Sequence, residues 1–488
     1  MRRAAVAAAG AALLAVAPAG ALAADSAVAR ALRGAYPAAE AAAARVGGSE
    51  GTQASYDAAR DLQEALRAAG PVSARCARLR SALGAYAAGR VLQAEGIDRP
   101  SAGDVSTGRR RAEAARARVR AASAACRGGG GGGPMAAPSM SPADGEAFLG
   151  VVVARVPAGA DGARLLVDGR DARTTAVRGG RARFTVQAPP GRHALRVEFT
   201  RGGAPAGAAR AAGAWLLPSS ARAAVPGTRT DPARAAALTR ALAGAPAYRA
   251  AWVQDLTDGA TAGAAAGARF PAASTVKLGL LVGALARTGP APARSALAYD
   301  MRAMTTWSSN LATNRLLRRL GGTAVAADGL RRLGARSSTF TGEYLVGTEL
   351  QPSLPAPGAG AAPPLVSRRV TTAQDLGRML FALHASAVGA PGARAQTGLT
   401  AHQARLGLGW LLASQQRDDN ASLIARGLPG GVPIAQKNGW IRAARHAAGI
   451  AYTDRGPVIA VMLTYDERGV SLSRAQALGA RVAAVAAG

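Results

Sequence analysis

Arg269-Phe270-Pro271-Ala272-Ala273-Ser274-Thr275-Val276-Lys277-Leu278 is the stretch from which the rest of the chain is read. It contains Ser-x-x-Lys and runs into Leu278-Gly279-Leu280-Leu281-Val282-Gly283-Ala284-Leu285, an apolar run with the character of a buried helix. Pro271 stands at or just before the start, where its missing N–H costs nothing. Ser274 is then expected in the first helical turn, where unpaired backbone N–H groups and the helix dipole favour developing negative charge. Lys277, three residues on, falls on the same face. A hydroxyl and an amine held together at a helix N-terminus describe an activated serine nucleophile.

Lysine usage sharpens that reading. Of 60 Lys+Arg residues only Lys277 and Lys437 are lysine; the other 58 are arginine. Arginine stays protonated under nearly all conditions, whereas a buried lysine amine readily gives up its proton. A chain that carries almost all its positive charge on arginine, yet places lysine here, points to a position that needs an amine.

The 488 residues suffice for two to four domains with proper cores. The formal charge of +31 comes from arginines spread along the whole length, and aromatic residues make up only 4%. No basic patch interleaved with aromatics stands out, so the composition argues against nucleic-acid binding and leaves room for attraction to an anionic cell-wall polymer. Met1-Arg2-Arg3, the apolar residues 4–17 and Ala21-Leu22-Ala23 read as a secretory signal peptide over residues 1–24. No later apolar run approaches twenty residues, so no transmembrane span is expected after signal cleavage, and the expected location is secreted or in the cell envelope. In an exported chain the two cysteines, Cys76 and Cys126, favour a disulfide, the alternative being two buried thiols. With four scattered histidines (His193, His384, His402 and His446) they form no metal-ligand spacing, and neither metal nor cofactor is expected.

Residues 25–127 are rich in Ala, Arg, Glu and Leu with helical periodicity, predicting an α-helical bundle. Tyr56, Ala59, Leu62 and Leu66 form one apolar stripe. A glycine run at 128–133 followed by three prolines predicts a linker over 128–146. Short apolar runs at 149–153, 163–167, 183–186 and 193–199, separated by turn signals, predict a small Ig-like β-sandwich over 147–218. From about residue 229 a helix and a strand precede the Ser274 stretch, and two strands with a final helix close the chain. That order predicts an α+β domain over 229–488, an α/β/α sandwich.

Two further stretches answer the first. Thr306-Trp307-Ser308-Ser309-Asn310 offers Ser-x-Asn ahead of a helix, and Gln436-Lys437-Asn438-Gly439-Trp440 carries the second lysine. With Ser-x-x-Lys, Ser-x-Asn and Lys-x-Gly in this order, residues 229–488 resemble the serine β-lactamase and penicillin-binding superfamily, most nearly class A. Phe270-Pro271-Ala272-Ala273-Ser274, Asn314 four positions after Asn310, and Val370-Thr371-Thr372-Ala373-Gln374-Asp375 at a helix start support class A. The resemblance implies a transpeptidase-like fold with Ser274 as nucleophile, Lys277 as proton acceptor and Ser308 as proton relay to the leaving nitrogen. It further implies that Asn310, Lys437 and Asn438 bind the substrate's amide and carboxylate. The backbone N–H groups of Ser274 and Trp440 would form the oxyanion hole.

Departures from the family bear on the second half of the reaction. Asn438 stands where the motif has threonine, and Ser308 follows Ser274 at a short interval. Residues 352–364 form a Pro/Gly/Ala-rich insertion. The deacylating glutamate of class A falls nearest to Glu343, with Glu349 as a rival, and Arg368-Arg369 stand where an acidic anchor is common. Three readings follow: a β-lactamase acting through acyl-Ser274, a D-alanyl-D-alanine carboxypeptidase or penicillin-binding protein acting on peptidoglycan stem peptides, and a non-catalytic envelope-binding protein.

Overall fold

Alanine-rich helices fill the first third of the computed structural model, which describes residues 19–99, 101–123, 126, 138–244, 247–347, 368–414 and 423–488. The apolar run 4–17, the glycine run 128–133, Glu349 and the 352–364 insertion lie outside these residues. The chain divides into two compact units between residues 136 and 137.

The first unit holds α1 (Ala19–Arg33), α2 (Ala35–Ala43), α3 (Gly48–Ala68), α4 (Ala74–Asp98) and α5 (Ala102–Ser123). The stripe Tyr56, Ala59, Leu62 and Leu66 is buried, as its spacing on α3 requires. It joins a core with Leu79, Leu83, Tyr86 and Val119 from α4 and α5. Cys76, near the start of α4, is disulfide-bonded to Cys126, just past α5. Asp25 accepts from the Ser73 N–H at 2.9 Å and ties α1 to the start of α4.

The second unit begins with a two-sheet sandwich. β1 (Ser139–Ser141), β3 (Val151–Arg155) and β6 (Arg181–Thr185) form one sheet. The other runs β2 (Ala147–Phe148), β8 (Ala204–Leu216), β7 (Gly191–Arg201), β4 (Gly162–Val167), β5 (Arg170–Ala176). Alternating residues Val152, Phe184, Leu165, Val197 and Phe199 fill the space between the sheets. Residues 139–141, read from sequence as the end of a linker, pair with β3 and belong to the sandwich. His193 bonds Asp168 and the Pro189 carbonyl within the sandwich.

The rest of the unit is built on a six-stranded sheet. It runs β14 (Ile434–Ile441), β15 (Ala444–Thr453), β16 (Gly456–Tyr465), β10 (Tyr248–Asp255), β11 (Ala260–Ala264), β9 (Arg229–Thr230). On one face α6 (Pro232–Ala241) and α14 (Leu472–Ala487) cover Val253, Ala460 and Met462 with Leu238, Leu478 and Val482. On the other lie α7 (Lys277–Leu285), α8 (Ala298–Thr306), α9 (Asn310–Arg319), α10 (Ala324–Arg332), α11 (Ala373–Val388), α12 (Pro391–Thr397) and α13 (Ala401–Ala413). Every residue of α7 is buried. Its Gly279 meets Gly329 of α10 so closely that a Cβ on Gly329 would stand 1.8 Å from the Gly279 carbonyl oxygen. A two-residue ribbon, β12 (Phe270–Pro271) with β13 (Val370–Thr371), leads into the Ser274 turn. Glu146 joins the sandwich to α13: fully buried, it accepts from Arg405 Nε at 2.9 Å and lies 3.0 Å from His402 Nδ1.

Candidate active site

The helix expected to include Ser274 begins later. α7 starts at Lys277, and residues 274–276 form tighter turns in which the Lys277 N–H donates to the Ser274 carbonyl at 3.3 Å. The cause lies one residue upstream. Ala273 has φ +48°, a left-handed backbone that an alanine adopts only under constraint, while the Ala272 N–H is held by the Arg369 carbonyl at 2.9 Å. This leaves Ser274 half-buried, with Lys277, three residues on, 1% exposed.

Ser308 meets Lys277 from the turn between α8 and α9. Its φ is +63°, and Ser309 caps α9 by accepting from the Ala312 N–H at 3.2 Å. Beneath the turn, Arg315 of α9 pairs with Asp300 of α8 at 3.3 Å, both within the core. The Ser308 hydroxyl lies 2.9 Å from Lys437 Nζ and 3.4 Å from Lys277 Nζ. Lys277 Nζ also donates to the Ser308 carbonyl at 2.7 Å and to Asn310 Oδ1 at 2.8 Å. Lys437 Nζ donates to the Asn438 carbonyl at 2.8 Å. The two lysines of the chain thus converge on one serine hydroxyl.

Burial disfavours the charged form of Lys437 and pushes its amine down to about 7. The β14 strand that carries it lies at the sheet edge, with its Gly439 against the Ser274 turn. A Cβ at position 439 would come within 2.9 Å of the Ser274 nitrogen and 3.0 Å of Thr275 Cγ2. Among the described residues no backbone carbonyl accepts from the Ser274 N–H. Trp440 is exposed on the rim, with the Arg445 guanidinium 4.9 Å from its ring.

Of the residues singled out from sequence, Ser274, Lys277, Ser308, Asn310, Lys437 and Asn438 come together here, with Trp440 at the edge. Glu343 does not join them. Its carboxylate lies at the surface in a bidentate pair with Arg318, at 2.7 Å and 2.6 Å. The next residue turns toward Ala273 and Lys277 instead. Tyr344 donates its hydroxyl to the Ala273 carbonyl at 2.9 Å, and its ring lies 4.2 Å from Lys277 Nζ and 3.8 Å from Arg369 Cζ. Asn314 holds the Tyr344 backbone through both its carbonyl and its N–H, each at 2.8 Å. Asn310 Nδ2 donates to the Leu345 carbonyl at 2.9 Å. Arg369 donates to the Thr341 carbonyl at 2.6 Å, anchoring the segment as a cation through carbonyls.

Tyr344 and His446 stand in none of the three sequence motifs. His446 is fully buried behind the ribbon, 2.8 Å from the Pro271 carbonyl through Nε2 and accepting from the Thr464 N–H through Nδ1. That pattern assigns the proton to Nε2. Burial pushes His446 down to about 4, so it stays neutral and braces the strand leading to Ser274. Its signal was present in the strand pattern, where a histidine on a fully buried strand demands two partners.

Among the described residues no group of three or more His, Cys, Asp or Glu side chains is arranged to hold a metal, and no helix is long and apolar enough to cross a membrane.

Residues 290–487 match the model of the beta-lactamase enzyme family, a span that contains Ser308, Asn310 and Lys437 and begins after Lys277. No curated protein matches the chain. Similar solved structures include PBP-A, at 19% identity over 54% of this chain and 97% of that one, with a TM-score of 0.41. The β-lactamase from Desulfarculus baarsii DSM 2075 is 21% identical over 52% of this chain and 97% of that one, with a TM-score of 0.41. The β-lactamase from Streptosporangium roseum is 22% identical over 53% and 98%, also with a TM-score of 0.41. Over residues 290–487 the chain is thus similar to the beta-lactamase enzyme family.

Proposed function

We propose that residues 229–488 act as a serine hydrolase that takes an acyl group from a carboxylate-bearing amide onto Ser274 and releases it slowly, as a penicillin-binding protein does. The donor is a β-lactam or a D-alanyl-D-alanine stem peptide. The observation that carries this is the Ser308 hydroxyl, set between Lys437 Nζ at 2.9 Å and Lys277 Nζ at 3.4 Å.

In this reading Ser274 Oγ bonds to the amide carbon and the C–N bond breaks. The Ser274 proton passes to Lys277, which hands it to Ser308 as Ser308 gives its own to the leaving nitrogen, so Lys277 ends the step neutral. With its amine near 7, Lys437 exchanges protons with Ser308 at neutral pH and, when charged, pairs with the donor's carboxylate. Asn310 and Asn438 hold the amide and the carboxylate. The Ser274 and Trp440 N–H groups receive the oxyanion, each on the order of 3 kcal/mol of transition-state stabilisation.

The Glu343–Arg318 pair favours slow release over β-lactamase turnover. A fast hydrolase needs a base beside the ester, and a carboxylate doubly bonded to a guanidinium at the surface is a poor one. Export through residues 1–24 belongs to the same proposal, and the Cys76–Cys126 disulfide suits an oxidising compartment.

The test is labelling with a fluorescent penicillin alongside turnover of a chromogenic cephalosporin. We expect stoichiometric labelling that Ser274→Ala abolishes, with turnover near background. Rapid turnover lost in Glu343→Ala would restore the β-lactamase reading, and absence of labelling would favour the non-catalytic one.

A further inference from the structure

We infer that Tyr344 determines the lifetime of the acyl-enzyme by occupying the space from which water would attack the Ser274 ester. The inference rests on the acylation proposed above and concerns its second half.

Hydrolysis of that ester requires a water oxygen to bond to the acyl carbon while Ser274 Oγ leaves. One water proton ends on Ser274 Oγ and the other stays with the product acid. Both the water and a base for its proton must stand beside Ser274. On the 341–347 segment, Tyr344 is the side chain that takes that ground. Its hydroxyl reaches the carbonyl of Ala273, the residue just before the nucleophile, and its ring lies against Lys277 Nζ. The ring is held from several directions. Asn314 grips its backbone twice, Arg369 lies 3.8 Å from the ring, and Arg369 also binds the Thr341 carbonyl. A side chain fixed by that many contacts is a wall and not a mobile cover.

The wall offers no base of its own. Its hydroxyl proton is committed to a backbone carbonyl, and burial outweighs the nearby Arg369 charge and keeps the phenol neutral at physiological pH. Glu343, the neighbouring carboxylate, faces the other way onto Arg318. Tyr344 therefore excludes water from the ester on its side of the Ser274 turn, while Gly439 of β14 lies against the turn's backbone.

The experiment measures the half-life of the penicillin G adduct by intact-protein mass spectrometry after free drug is removed. Wild type, Tyr344→Ala and Tyr344→Phe are compared, with acylation rates recorded for each. Tyr344→Ala is expected to shorten the half-life about tenfold or more, by admitting water next to the Lys277 amine. Tyr344→Phe, which keeps the ring, should stay within about threefold of wild type, well inside the effect of admitting a base-assisted water. An unchanged half-life in Tyr344→Ala overturns the inference while leaving the acylation reading intact. So does an equal shortening in Tyr344→Phe, which would place the effect in the hydroxyl and not the ring. Failure of Tyr344→Ala to acylate at all, with wild type labelled, overturns it by placing the ring in the acylation step. Absence of any wild-type adduct overturns both.

Discussion

Replacing Lys437 with methionine should make the second unit more stable while disabling the site. The lysine is 3% exposed, and its burial pushes the amine down to about 7 from the ordinary lysine range. Its folded value lies below its unfolded one, so the unfolded chain binds the proton more tightly between those limits. Stability is therefore fullest above about pH 10.4 and is lost as pH falls towards 7. At neutral pH the loss is about 4 kcal/mol, from roughly 1.4 kcal/mol for each of about three units. Methionine fills similar space without that cost. It forfeits the hydrogen bonds to Ser308 Oγ and the Asn438 carbonyl, about 1 kcal/mol each. The net gain is about 2 kcal/mol at pH 7 and vanishes or reverses near pH 10.5, where the lysine is neutral in both states. Urea unfolding followed by tryptophan fluorescence reads this cleanly, because all five tryptophans lie beyond residue 137. Lys437→Met less stable than wild type at pH 7 would refute the reasoning, since the buried amine would then be stabilising as it stands.

Other perturbations reach different parts of the account. Gly439→Ala should lower the acylation rate by about two orders of magnitude with little change in stability, because its Cβ would press on the Ser274 turn from 2.9 Å; stopped-flow acylation with a reporter β-lactam checks it. His384 and His446 are both pushed down to about 4 by burial. Each contributes stability present above pH 6.5 and lost as pH falls towards 4, about 3 kcal/mol apiece. Urea midpoints across that range should shift less in His446→Gln than in wild type. Reducing the Cys76–Cys126 disulfide releases a loop closed across 50 positions, worth about 4 kcal/mol on the chain-entropy account. Circular dichroism should then show a lowered helical transition that tryptophan fluorescence does not follow.

Much of the site was legible because motif residues sit on regular elements or at their ends. Tyr56, Ala59, Leu62 and Leu66 announced α3 by period, and Lys437 and Gly439 lie on a strand whose neighbours are apolar. Two kinds of feature escaped. β5 and β8 carry mostly polar, alanine and glycine residues, so their pairing comes from neighbours and not from a strong alternating pattern. The choice between Glu343 and Tyr344 lies in a segment with neither helical nor strand period. There, one residue of register decides which side chain lies against Lys277. Spacing brought the reading to the segment that contacts Ala273, and Asn314, by clasping Tyr344, set the register. The start of α7 escaped for a related reason. Ser274 stands outside the helix because the β12–β13 ribbon and the left-handed Ala273 hold it there.

The central claim is that Ser274 forms an ester that lasts. Intact-protein mass spectrometry after brief exposure to penicillin G, followed by drug removal and peptide mapping, tests it most directly. One drug mass should be added, mapped to the peptide containing Ser274, still present long after washout and missing in Ser274→Ala. An unmodified protein, an adduct elsewhere, or an adduct gone within seconds would contradict it.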